Sequence, residues 1–81
     1  MLRSGVLFTF WATHDALSAE DSLVAAGIEH ETIPKPRVIR ADCGVALLVP
    51  TARADEAQQA LAAAGVAPAG RHEYTKAPRH D

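Results

Sequence analysis

Apolar residues along this chain fall into dense short runs separated by sparser stripes. Val6-Leu7-Phe8-Thr9-Phe10-Trp11 is rich in aromatic and β-branched residues and predicts a strand. Ala16, Ala19, Leu23 and Ala26 then recur at helical spacing, with Thr13 at the N-cap position, Asp15 in the first turn and Gly27 as the stop. Ile28 to Ile33 predicts a short strand, closed by Pro34-Lys35-Pro36 because proline cannot donate to a ladder. Arg37 to Asp42 reads as irregular loop, and Val45 to Val49 as the next strand. Pro50 and Thr51 close that strand and cap a second helix with the stripe Ala54, Ala57, Leu61, Ala64 and the stop Gly65. Pro68 to Gly70 predicts a turn and Arg71 to Thr75 a last strand. Residues 76–81 read as a flexible C-terminal tail.

The pattern repeats. A shift of 38 residues lays Thr13 on Thr51, Ala16 on Ala54, Ala19 on Ala57 and Leu23 on Leu61, and Ala25-Ala26-Gly27-Ile28 on Ala63-Ala64-Gly65-Val66. Two strand–helix–strand halves give an α+β, ferredoxin-like β-α-β-β-α-β domain over residues 1–75. Its four-stranded antiparallel sheet has the order 4-1-3-2, with both helices on one face. Alternation along a strand divides its residues between the two faces. Val6, Phe8 and Phe10, with Gly44, Ala46 and Leu48, are assigned to the helices. Leu7, Trp11, Val45, Leu47 and Val49 then fall on the open face. So much bare apolar surface predicts a homodimer or a protein partner there, with Cys43 at its border. The alternative is that the tail or a neighbouring loop folds over that face.

Composition narrows the function classes. The chain has 81 residues, enough for one domain with a thin core, because much of its 48% hydrophobic content is alanine. Its net charge is −2, and no concentrated basic face is visible. This argues against nucleic acid or an anionic membrane as the main partner. The apolar run near the start is too short to span a bilayer. A soluble, cytoplasmic protein is expected. The single cysteine cannot form an internal disulfide and suits a reducing compartment.

That cysteine, Cys43, opens the run Cys43-Gly44-Val45-Ala46 after a loop carrying Lys35, Arg37 and Arg40. In the expected topology the start of strand 3 lies beside the end of strand 1, so Cys43 should share a rim with His14 and the start of the first helix. Helix N-termini and nearby cations favour a thiolate. Arg37 and Arg40 could supply cationic character, and His14 could hold or deliver a proton. Gly44 would let a partner approach closely. The expected site is therefore Cys43, Gly44, His14, Arg37 and Arg40, with the thiol at least partly exposed. Such a site suits a sulfur that is loaded and unloaded. The competing reading makes Cys43 a packing residue of a non-catalytic binding or regulatory module, since free cysteine is often buried. An enzyme with thiol catalysis would need a substrate pocket that this chain has little material to build. His30, His72 and His80 show no metal-ligand spacing with Cys43, and no cofactor motif is present.

Thr13-His14-Asp15-Ala16-Leu17, Pro36-Arg37-Val38-Ile39 and Cys43-Gly44-Val45-Ala46, in this order, resemble the sulfur/selenium (Se/S) carrier protein-like family of small bacterial proteins. The resemblance covers most of residues 5 to 75. It implies a cytoplasmic protein, more a carrier than an enzyme, whose cysteine holds sulfur or selenium as persulfide or perselenide between donor and acceptor proteins. Where the family pattern carries a basic residue further along strand 3, this chain has Leu47-Leu48. It also lacks the Cys-Pro-x-Pro motif of better-known sulfur-relay carriers, so their partners do not transfer to it.

Overall fold

The structure, a computed structural model, describes residues 2–76. The elements are β1 (Ser4–Thr9), α1 (Thr13–Ala25), β2 (Glu31–Pro34), β3 (Val45–Val49), a 3-10 turn (Thr51–Arg53), α2 (Ala54–Ala63) and β4 (Gly70–Thr75). All strand pairs are antiparallel, and the sheet order is β2-β3-β1-β4, the ferredoxin-like arrangement expected.

Both helices end in the same way. Gly27 and Gly65 have φ of 69° and 76°, a left-handed conformation that favours glycine. The Gly27 and Ile28 amides turn back to the Val24 and Leu23 carbonyls, and the Gly65 and Val66 amides to those of Ala62 and Leu61. This is the Schellman closure. It buries Ile28 and Val66 beside the helix ends and explains the 38-residue repeat. It also shortens β2. The Ile28 amide is spent on Leu23, and the ladder begins only at Glu31.

The helix starts differ from expectation. The Ala12 carbonyl accepts the Asp15 and Ala16 amides, so Ala12, not Thr13, is the N-cap, and no side chain caps α1. Thr51 opens the 3-10 turn, whose first bond runs from the Arg53 amide to the Pro50 carbonyl, and α2 begins only at Ala54.

The register sets the faces. Val6 pairs with Val49 and Phe8 with Leu47, and cross-strand partners share a face. Val6, Phe8 and Phe10 pack beneath the helices as expected, but Leu47, Val49 and Cys43 are buried with them, and Val45 packs against the same cluster. Ala46 and Leu48 lie on the other face with Leu7 and Ile33. The assignment of Val45, Leu47 and Val49 to the open face was therefore inverted. Strand alternation alone leaves two choices for each strand, and only the register relates them. Trp11 lies beyond the end of β1 and is 56% exposed.

Polar residues on the edge strands hold the helices down. Thr32, opposite Leu47, donates to Glu20 of α1. Arg71, opposite Phe8, bonds Gln58 and Asp55 of α2 and lies 5.9 Å from the Phe8 ring centre. The face without helices is covered from within the chain. Leu2, Ile39 and Tyr74 pack over Leu7, Ile33, Ala46 and Leu48. Glu31, at one edge of the sheet, accepts the Leu2 amide and the Lys76 ammonium that arrives from beyond the other edge. The apolar surface that argued for a homodimer is thus filled by a loop and both chain ends. Lys76 is further held by its amide on the Arg3 carbonyl. The rest of the expected tail, residues 77–81, lies outside the described residues.

Candidate functional site

Three element ends meet at one edge of the domain: the end of β1, the start of α1 and the approach to β3. Cys43 lies two residues before β3, and its amide donates to the Phe10 carbonyl at 3.2 Å. Continuing the β1–β3 register would set Trp11 against Gly44. The Cys43–Phe10 bond departs from that register, so the two strands part company at this point. On the other side β3 keeps its register with β2, and the Lys35 amide reaches the Gly44 carbonyl at 2.9 Å. The approach to β3 is therefore held by both neighbours.

The thiol points into the core. Cys43 is only 2% exposed and belongs to the helix-side cluster with Phe10, Ala16 and Ala19. The expectation of a partly exposed sulfur is overturned. The reason is the face assignment: Cys43 alternates with Val45, Leu47 and Val49, and the register turns that whole set under the helices. Gly44, next to it, faces solvent. A Cβ on Gly44 would meet nothing within 4 Å, and its φ is ordinary. By contrast, a Cβ on Gly5 would lie 2.0 Å from the Val49 carbonyl oxygen. The fold requires glycine at position 5 but not at position 44.

His14 is in the first turn of α1, at the same end as Cys43. Its ring is 82% exposed, and its Nε2 lies 3.2 Å from Asp15 Oδ1. Its recorded contact is with that carboxylate and not with sulfur. Arg37 and Arg40 are exposed on the connection between β2 and β3, at the same end, and make no ion pair among the described residues. The structure thus gathers the five expected residues at one end of the sheet. In the resting arrangement it leaves His14 and the arginines turned to solvent while the sulfur is buried. Among the described residues, no group of three or more His, Cys, Asp or Glu side chains could hold a metal.

Lys35 and Ile39 do not stand out in the sequence as structural partners within the loop that leads to Cys43. Lys35 read as one more member of a basic cluster, but its ammonium donates to the Ile39 carbonyl at 2.7 Å, across the turn in which the Ile39 amide meets the Pro36 carbonyl. Ile39 packs over the open face. The available signal was the apolar pair Val38-Ile39 between basic residues just after two prolines, of which Ile39 packs on the sheet and Val38 is exposed.

The chain matches, over residues 5–73, the family described as "Putative Se/S carrier protein-like". The chain belongs to this family. The match takes in both helices, β2, β3, most of β1 and β4, and the only cysteine. Comparison with curated proteins and with solved structures gives no match. No helix among the described residues is long and apolar enough to cross a membrane. The Se/S carrier protein-like assignment therefore rests on the family match.

Proposed function

We propose that the protein is a cytoplasmic sulfur or selenium carrier that holds one chalcogen atom on Cys43 and passes it between a donor and an acceptor protein. The supporting observation is membership of the Se/S carrier protein-like family in a chain with a single cysteine. A chalcogen held covalently on cysteine has one place to go. In loading, the Cys43 thiolate attacks the terminal sulfur of a donor persulfide. A sulfur–sulfur bond forms to Cys43, the donor's own sulfur–sulfur bond breaks, and the donor leaves as a thiolate, while the proton stays on the transferred atom. A donor perselenide reacts in the same way through its terminal selenium. Thiolate is the reactive form, so the buried thiol must first be brought to the surface. His14, Arg37 and Arg40 stand at the same end and meet the incoming protein. Gly44 leaves the backbone beside the sulfur bare, which fits close approach by a partner.

The burial of Cys43 favours one other reading, a binding module in which the cysteine is packing. Incubation of the native protein with glutathione persulfide, followed by intact-mass and peptide analysis, separates the two. The carrier gains the mass of one sulfur on the Cys43 peptide, and dithiothreitol removes it. A native protein that takes up no sulfur, but does so once unfolded, is the binding module.

A further inference from the structure

The thiol lies on the helix side of the sheet, but the segment that leads to it is fastened on the opposite side. We propose that residues 35–42 form a latch, closed by the Lys35 ammonium on the Ile39 carbonyl and by Ile39 seated on the open face, whose release exposes Cys43. This rests on the carrier reading only in that the sulfur has to be reached. Other members of the buried cluster that holds Cys43 are poor candidates for motion. Phe10, Ala16 and Ala19 are at most 3% exposed and belong to β1's continuation and to α1.

The latch segment is built differently. Among the described residues, the Ile39 amide is the sole main-chain donor within 36–42, and its bond stays inside the segment, to Pro36. Arg37, Val38, Arg40 and Asp42 are exposed, Val38 at 90%. Few bonds and little burial place a segment at the low-stability end of a fold. Its attachments are the Lys35 amide on Gly44, the Lys35 ammonium on Ile39, and the Ile39 side chain over Leu7, Ile33, Ala46 and Leu48. Pro34 and Pro36 flank Lys35 and stiffen the chain there, so the movement is concentrated in 37–42. The connection thus wraps the edge of the sheet, with Ile39 on one face and Cys43 on the other. Lifting Ile39 loosens residues 37–42 and leaves the Cys43 amide on the Phe10 carbonyl as the bond that must still open before the sulfur is reached.

The test is the rate at which iodoacetamide alkylates Cys43 in the native protein, without denaturant. Lys35→Met keeps the stem and removes the ammonium; Ile39→Ala removes the seated side chain. Loss of a charge-assisted bond or of a packed side chain raises the open population, so each variant is alkylated about tenfold faster than wild type. Gly27→Ala, past the C-terminal end of α1 and at the opposite end of the sheet from Cys43, lowers global stability without touching the latch and keeps the wild-type rate. Unchanged rates in both latch variants, or an equal acceleration in Gly27→Ala, overturn the latch. Failure of the carrier reading looks different: faster alkylation in the latch variants with no persulfide uptake in any of them.

Discussion

Gly5 and Gly44 lack the same atom with opposite consequences. At Gly5 the strands come so close that a Cβ would collide with the Val49 carbonyl. Gly5→Ala must therefore push β1 and β3 apart, and urea unfolding should show a loss of about 1–3 kcal/mol. Gly44 has open space and an ordinary φ. Gly44→Ala should leave stability unchanged or raise it by up to about 1 kcal/mol, through a less flexible unfolded chain. If Gly44 is bare for the sake of a partner, the same variant takes up sulfur from glutathione persulfide normally but transfers it poorly to a protein acceptor. Cys43 is the other residue whose two readings separate. Because its side chain is buried in an apolar cluster, Cys43→Ser places a hydroxyl there and should cost about 1–3 kcal/mol by the same unfolding measurement. A cost near zero would mean that the thiol already spends its time outside the core.

At the scale of elements, local signals read well where one residue decides the geometry. Gly27 and Gly65 were legible as helix stops because the left-handed closure has a strong glycine preference, and the same two closures gave the repeat its period. Gly27→Ala and Gly65→Ala should each cost about 1–2 kcal/mol, seen as a lower urea midpoint with an unchanged slope. Val45–Val49 was legible as a strand from composition, and the order of elements led to the right sheet. Which face of β3 lies under the helices was not legible. Both alternating sets of β3 are apolar, and the choice depends on a register fixed in part by Gly5 at the other end of the pair. The buried thiol follows from that single two-fold ambiguity. The helix starts were illegible for another reason: Thr13 and Thr51 are plausible caps by type, but the N-cap of α1 is Ala12, one residue earlier, and Thr51 opens a 3-10 turn, so that the N-cap of α2 is Arg53.

At the scale of the whole molecule, the corrected faces change what a charge in β3 should do. Leu47 is 1% exposed beneath the helices. Leu47→Glu should therefore unfold the domain, seen as loss of the cooperative transition in circular dichroism, and not act as a surface change that separates a dimer. The opposite face depends on Glu31, which accepts both the amide of Leu2, whose side chain packs over Leu7 and Leu48, and the Lys76 ammonium. The hydrogen bond from Lys76, ahead of a smaller opposing effect of desolvation and the bond from Leu2, keeps the Glu31 carboxyl below its ordinary value of 4.5. A lowered carboxyl stabilises the fold at pH values above the unfolded carboxyl's, and that contribution is lost as pH falls through the folded value. Wild type should thus exceed Glu31→Gln in stability at neutral pH, with the two curves converging below pH 4.5. The gap should narrow with added salt, since the pair is partly exposed. Urea unfolding of both proteins across the acid range, at low and high salt, measures it. A gap that stays constant down to the acid limit would show that Glu31 acts there by shape and neutral hydrogen bonding, and that the ends are held over the sheet by Leu2 and Tyr74 alone.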